Sequence, residues 1–168
     1  YPIGRRQGLA GQKIDSGRTC GLRLVDDKID RDSIQNIRNS RKGDKKMKVI
    51  ETKKAPGAIG PYSQGFEVGG FVYTSGQIPV NPESGEVPEG IAAQARQSCE
   101  NVGAILKEAG TDFDKVFKTT CFLADMADFA DFNQVYAEYF VSKPARSCVA
   151  VKSLPKGVLC EIEAIALK

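Results

Sequence analysis

The sequence of 168 residues contains no histidine. This absence excludes Ser-His-Asp and Cys-His catalysis, zinc bound through imidazole, and any imidazole acid or base. A chain of this composition that transfers protons near neutral pH must use a carboxylate, lysine, tyrosine, cysteine or an ordered water. The search for catalytic groups is therefore confined to those residue types.

Long apolar runs and paired cysteines are also missing. No run approaches the ~18 residues that a membrane-spanning helix needs, and the first residues show no apolar signal region. The five cysteines are widely spaced and contain no C-x-x-C pair, unlike a secreted disulfide framework. We expect a cytoplasmic protein that does not associate with membranes.

The charge divides the chain into two unlike parts. Residues 1–46 hold 12 basic and 6 acidic side chains, whereas residues 47–168 hold 12 basic and 15 acidic ones. The first part has no sustained periodicity, and the stretch KGDKK before Met47 back-translates to a purine-rich sequence like a ribosome-binding site. We expect residues 1–46 to be a disordered or non-native extension, with a basic nucleic-acid-binding arm as the alternative. Residues 47–168 would form the functional domain.

From Met47 onward the pattern predicts three strands, a helix, a strand, a second helix and two strands. Residues 91–109 repeat apolar side chains at intervals of three and four, and a second helix after Asp128 carries an aromatic stripe. Two helices on one face of a mixed sheet make an α+β layer domain. The other sheet face stays uncovered and includes either Thr120 and Phe122 or Cys121 and Leu123. Because such a face is too apolar for water, we expect a homo-oligomer that buries it.

Three charged residues could carry chemistry. Arg146 begins an apolar strand, where its planar guanidinium needs a partner and fits a carboxylate or phosphate. A structural salt bridge or an exposed strand end would also explain it. Glu161 and Glu163 share one face of the last strand. Apolar surroundings would raise the pKa of such a carboxyl toward neutrality, whereas a solvated outer face would not.

Five further residues are weaker candidates. Tyr62, Ser75 and Gly76 lie where strands give way to turns, and a glycine there lets the backbone approach a ligand closely. Ordinary turn formation is the alternative. Cys148 shares a strand face with Arg146 and is either a reactive thiol or a small packing residue. Asn133 is a polar residue beside the aromatic stripe, where its simplest role is to cap a neighbouring loop.

Five motifs in a fixed order carry a resemblance that none of them carries alone. They are IGPYSQ at 59–64, TSGQIPV at 74–80, QARQS at 94–98, PARSCV at 144–149 and EIEAIA at 161–166. Together they resemble the successive signatures of the reactive intermediate deaminase A family (RidA, also called YjgF). The resemblance covers about residues 47–168, and residues 1–46 match nothing in the family.

The resemblance implies a fold, an assembly and an activity. The fold is like that of the bacterial chorismate mutase: a trimeric barrel of mixed six-stranded sheets that face inward, with sites between subunits. Members of the archetypal branch hydrolyse 2-iminobutanoate and 2-iminopropanoate to 2-keto acids and ammonia, without a metal or another cofactor.

The resemblance also assigns roles to residues. Arg146 would bind the substrate carboxylate and Glu161 would orient or activate water. The backbone of Gly76 and of Cys148 would hold the imine nitrogen and the water. Tyr62, Ser75 and Asn133 would line the cleft. The stretch before Pro144 is shorter than in many relatives, so the size preference for the substrate stays open.

Two other functions remain as alternatives. One is a non-enzymatic regulator or chaperone that binds small carboxylates, against which Arg146 argues. The other is an endoribonuclease-type translation inhibitor. The net charge of −3 on residues 47–168 and the missing histidine argue against strong binding of nucleic acid.

Overall fold

The computed structural model describes residues 47–168, which form a six-stranded sheet and two α-helices. The predicted extension at residues 1–46 lies outside the described residues. The strands are β1 Lys48–Ile50, β2 Gly65–Val68, β3 Phe71–Thr74, β4 Val116–Leu123, β5 Ala145–Ala150 and β6 Cys160–Leu167. The helices are α1 Ile91–Glu108 and α2 Phe129–Tyr139. The predicted order of elements is confirmed, and the strand ends differ from the predicted ones by one or a few residues.

The sheet is mixed, with the strand order β1-β2-β3-β6-β4-β5. Every neighbouring pair is antiparallel except β4 and β5, which run parallel with Thr119 opposite Arg146 and Cys121 opposite Cys148. The last strand therefore lies inside the sheet between β3 and β4, while β5 forms an edge. This arrangement places Glu161 and Arg146 on strands that both neighbour β4.

The β2–β3 hairpin shows the local chemistry that the sequence predicts. Gly69 and Gly70 both take positive φ angles, 61° and 84°, and Val68 pairs directly with Phe71. Positive φ at both central residues is the requirement of a type I′ turn, whose twist matches that of the flanking strands. Two glycines satisfy it without steric strain, because neither carries a Cβ.

The hydrophobic core lies between the two helices and one face of the sheet. Helix α1 contributes Ala95, Cys99, Val102 and Leu106 to it, as its apolar periodicity predicts. Gly110 ends that helix with a φ of 77°, and its N–H donates to the carbonyl of Lys107, as in a left-handed C-terminal cap. Helix α2 buries Phe132, Val135 and Tyr136 against the same core.

The opposite face of the sheet is open in the chain. On β4, Cys121 and Leu123 are fully buried toward the helices, so Thr120 and Phe122 are the residues on the open face. Exposed apolar side chains cover the β1 edge and the centre of this face, and Phe71 packs edge-to-face on Phe117 with ring centroids 5.8 Å apart. The exposed apolar residues on this face are Val49, Phe66, Phe71, Tyr73, Phe117, Val149 and Leu167.

The six-stranded mixed sheet with two helices on one face confirms the predicted α+β class. Within residues 47–168, neither helix combines the length and the apolar character needed to cross a membrane.

Candidate active site

Glu161 lies on the open face of the sheet, in a cavity of about 520 Å³. Its carboxyl is half-buried, and this burial raises the pKa above the ordinary carboxyl value, with a further contribution from the neighbouring charge of Glu163. Tyr62, Ser75 and Gly76 line the same cavity. Four of the predicted site residues therefore meet in one place, and the acid among them is shifted toward the range in which it can exchange protons.

The segment that carries Gly76 is attached directly to the last strand. The N–H of Gln77 donates to the carbonyl of Ile162 at 2.8 Å, and the N–H of Ile162 donates back to Gln77 at 3.2 Å. These two backbone hydrogen bonds hold the backbone of Gly76 beside Glu161. A Cβ at Gly76 would lie 1.8 Å from Oε1 of Glu161, so a side chain at this position would occupy the space of the carboxylate.

Buried side-chain amides hold the loops around this cavity, and sequence reasoning missed their role. Nδ2 of Asn101 donates to the carbonyls of Ile78 and Val80 at 3.0 and 2.9 Å. Nε2 of Gln77 donates to Ser75 and Gly76 in its own loop. The side chains of Gln77 and Asn101 are at most 4% exposed, and so is that of Gln64 in a neighbouring loop. The available signal was a glutamine inside each of two turn-forming motifs, Gln64 in IGPYSQ and Gln77 in TSGQIPV, and a polar Asn101 within the apolar pattern of α1.

Gln64 fastens the loop that carries Tyr62. Its amide accepts from the N–H of Thr52 at 2.7 Å and donates to the carbonyls of Thr52, Ala55 and Pro56. Ser75 Oγ donates to the carbonyl of Ser63 at 2.6 Å, which ties the same loop to the end of β3. Because the Ser75 hydroxyl donates its proton to the backbone, it can act toward a ligand only as a hydrogen-bond acceptor.

Arg146 lies in a second cavity, of about 530 Å³, near the end of helix α2. Nη1 donates to Oδ1 of Asn133 at 2.7 Å. The guanidinium carbon lies 4.6 Å from the ring centre of Tyr136 and 5.6 Å from that of Phe129. The hydroxyls of Tyr136 and Thr119 share a hydrogen bond of 2.7 Å, which fixes the ring under the guanidinium. These contacts hold the guanidinium in one orientation by hydrogen bonding and cation–π attraction.

Arg146 nevertheless keeps most of its hydrogen-bonding capacity. Within residues 47–168 the ion pairs join Arg96 to Glu138, Lys115 to Asp114 and Lys168 to Glu67, and none includes Arg146. The structural salt bridge considered from the sequence is thus absent from the described part of the chain. A half-buried, oriented guanidinium with free donors is suited to bind a carboxylate through two parallel hydrogen bonds.

Cys148 lies on the same side of β5 as Arg146, directly opposite Cys121 of β4. Partial burial raises the pKa of the Cys148 thiol, and the charge of Arg146 offsets only part of that shift. The thiol is therefore largely protonated near neutral pH, which disfavours a nucleophilic role. What the strand can offer a ligand at this position is its backbone.

The two cavities lie on opposite sides of the sheet within one chain. Arg146 pairs with Thr119, whose side chain is fully buried toward the helices, whereas Glu161 pairs with Phe122 on the open face. The structure thus brings together Tyr62, Ser75, Gly76 and Glu161 as one group and Arg146 with Asn133 as another. Among residues 47–168, no cluster of His, Cys, Asp or Glu has an arrangement that could hold a metal ion.

The layered fold and its two cavities define an α+β protein with an oriented arginine that has no ion-pair partner in the described chain and, in the other cavity, a carboxyl with a raised pKa. Residues 52–168 match the family model described as Endoribonuclease L-PSP. The chain belongs to this family, the RidA/YjgF family that its motifs resemble.

The chain is similar to proteins of Escherichia coli. The chain is 54% identical over 125 residues to the 2-iminobutanoate/2-iminopropanoate deaminase of strain K12. The aligned region covers 72% of this chain and 98% of that protein. The crystal structure of the E. coli YjgF gene product superimposes with a TM-score of 0.70 at 53% identity, over 72% of this chain and 98% of the other. The structure of E. coli TdcF with bound serine gives a TM-score of 0.70 at 52% identity, with the same coverage.

Proposed function

We propose that this chain is an enzyme that hydrolyses 2-imino acids, such as 2-iminobutanoate and 2-iminopropanoate, to 2-keto acids and ammonia. The observation that carries the proposal is the state of Arg146, which is oriented by Asn133 and Tyr136 but bound to no carboxylate of the described chain. The deaminase named above, at 54% identity, supports the same activity.

The chemistry needs a carboxylate anchor and one proton-transfer group. Arg146 binds the α-carboxylate and so positions the electrophilic imine carbon. Glu161 in its ionised form takes a proton from the attacking water, and a C–O bond forms as the C=N bond becomes single. The protonated Glu161 then returns this proton to the nitrogen, which gives a carbinolamine. The ionised Glu161 next takes the hydroxyl proton of the carbinolamine and passes it to the amino nitrogen, so that the carbonyl forms, the C–N bond breaks and ammonia leaves. Water is the only co-reactant, so the step balances without a metal or another cofactor.

The two groups act together if each site is shared between copies of the chain. Arg146 and Glu161 face opposite sides of their own sheet, so a neighbouring copy has to supply one of them. The apolar open face supports an assembly that buries it, and we propose a homotrimer with the sheets facing inward, as in the bacterial chorismate mutase barrel. In such a cleft, Tyr62, Ser75 and Asn133 line the substrate, and the backbone of Gly76 and Cys148 contacts the imine nitrogen and the water.

We place this reaction in the cytoplasm. Four cysteines of the described chain, Cys99, Cys121, Cys148 and Cys160, are free thiols, and free thiols persist in a reducing compartment.

The name of the family model, Endoribonuclease L-PSP, favours ribonuclease activity as a second candidate. The acidic balance of residues 47–168 opposes it, because binding to phosphate backbones depends on a basic surface. Incubation of the purified chain with single-stranded RNA, with Glu161→Gln alongside, separates the two functions. Cleavage by the wild type that is lost in the variant would establish the ribonuclease.

The deaminase is tested by coupling the chain to a threonine dehydratase that releases 2-iminobutanoate, with semicarbazide as the trap. The wild type is expected to lower semicarbazone formation and Arg146→Ala to abolish this effect. Arg96→Ala is the matched control, since Arg96 is an exposed arginine paired with Glu138 on the helices. Equal activity of wild type and Arg146→Ala would contradict the role of Arg146.

A further inference from the structure

The short connection between α2 and β5 holds one lysine in an unusual conformation. Lys143 has a φ of 52°, in the left-handed region that residues with a Cβ seldom adopt. Its N–H donates to the carbonyl of Phe140 at 3.0 Å. The preceding residue, Ser142, donates through its hydroxyl toward the carbonyls of Phe113 and Val116. The turn is therefore anchored from both sides, and its conformation is imposed on a residue that does not favour it.

Lys143 lines the same cavity as Arg146. Two residues, Pro144 and Ala145, separate them, so their Cα atoms are at most about 10 Å apart. Both side chains are long, and the guanidinium is fixed by Asn133 whereas the ammonium is exposed and can adjust. Neither cation has an ion-pair partner within residues 47–168. Two cations that have no ion-pair partner within residues 47–168 thus border one cavity of about 530 Å³.

The wall between the two cations is apolar. Tyr136, Phe140, Val141 and Pro144 form it, and none of the described lining residues is acidic. A guest that matches this cavity has an anionic group at each end and a short hydrocarbon segment between them. A dicarboxylate with two or three intervening carbons fits, since its charges lie about 4–6 Å apart and each can approach a cation to about 3 Å.

From this arrangement we infer that Lys143 selects 2-imino acids whose side chain ends in a second carboxylate, the 2-iminosuccinate and 2-iminoglutarate class. The inference rests on the proposed deaminase function. Arg146 holds the α-carboxylate in every substrate, and Lys143 contacts the distal carboxylate only when one is present. An anion at the distal position therefore gains an interaction that an aliphatic side chain cannot make.

The test compares two imines in the same trapping assay. 2-Iminoglutarate is generated by a flavin oxidase acting on glutamate, and 2-iminobutanoate by the dehydratase. The measured quantity is the ratio of kcat/KM for the dicarboxylic imine to kcat/KM for the aliphatic one. Lys143→Asn removes the charge and keeps a residue that tolerates positive φ, whereas Lys143→Arg keeps the charge. Lys152→Asn, at another exposed lysine in a separate turn, is the matched control.

In Lys143→Asn the ratio is expected to fall on the order of fivefold, the effect of one solvent-accessible ion pair, mainly through KM. In Lys143→Arg and Lys152→Asn it is expected to stay at the wild-type value. An unchanged ratio in Lys143→Asn would overturn the inference. An unchanged ratio includes the case of an equal loss on both imines, which would indicate general attraction of anions by Lys143. Failure of the wild type on 2-iminobutanoate would instead count against the deaminase function itself.

Discussion

Gly76 lies against the carboxylate of Glu161 so closely that a side chain at position 76 would displace that carboxylate. An added Cβ would fall 1.8 Å from Oε1 and 2.8 Å from the carboxyl carbon of Glu161. The contact joins a loop residue to a residue of β6, and the bridge between Gln77 and Ile162 fixes it. A change at Gly76 therefore acts on the proposed acid/base directly.

Gly76→Ala is expected to reduce kcat for 2-iminobutanoate on the order of a hundredfold, because a misplaced general base loses most of its contribution. KM should change less than kcat, because the substitution leaves Arg146, which binds the substrate carboxylate, in place. Steady-state kinetics in the trapping assay measure both. Gly57→Ala is the control, as a Cβ there meets nothing within 4 Å. Near-wild-type kcat in Gly76→Ala would contradict the position of Glu161 at the reacting water.

The pH dependence of kcat/KM should report the carboxyl of Glu161. Burial and the charge of Glu163 raise its pKa above the ordinary value, and the ionised form is the one that accepts a proton from water. Activity is then expected to fall with decreasing pH at a higher pH than an ordinary carboxyl would give. In Glu163→Gln one cause of the shift is removed, so the acidic limb should move to lower pH. A limb that stays in place or moves upward in this variant would argue against Glu161 as the titrating group.

A site shared between copies predicts complementation between inactive variants. Arg146→Ala and Glu161→Gln should each be inactive alone. Co-expression of the two should restore a fraction of the activity, because some clefts receive an intact Arg146 from one copy and an intact Glu161 from another. The measurement is specific activity of the mixed oligomer, isolated through two different affinity tags. No recovery in a verified mixed oligomer would show that one chain has to supply both residues.

The buried amide of Asn101 should matter for stability and for the loop beside Glu161. Asn101→Asp keeps the shape but loses the two donated hydrogen bonds to Ile78 and Val80 and leaves those carbonyls unpaired. The expected loss in free energy of unfolding is about 2–4 kcal/mol, from two buried hydrogen bonds, measured by urea denaturation. Gln134→Glu makes the same chemical change on the exposed side of α2 and should leave stability nearly unchanged. A loss equal to that of the control would mean that the amide does not hold the loop.

Much of this protein follows from its sequence alone. The period of the apolar residues gives the order of strands and helices, because a helix and a strand repeat their buried faces every 3.6 and 2 residues. Gly69-Gly70 gives the hairpin turn, since only residues free of a Cβ adopt both positive φ angles easily. The five motifs give the family, which the family model over residues 52–168 confirms. Alternation along the last strand also places Glu161 and Glu163 on one face, as the structure shows.

Only the tertiary structure decides which of these residues meet. Periodicity leaves open whether Thr120 and Phe122 or Cys121 and Leu123 face the helices, and strand pairing settles it through contacts with residues 27 or more positions away. The same pairing sets Arg146 and Glu161 on opposite sides of the sheet, although their motifs suggest a common pocket. The hydrogen bonds of Gln77 and Asn101 and the raised pKa of Glu161 likewise depend on neighbours brought together by folding. Burial and long-range pairing are properties of the packed chain, and no local pattern of residues encodes them by itself.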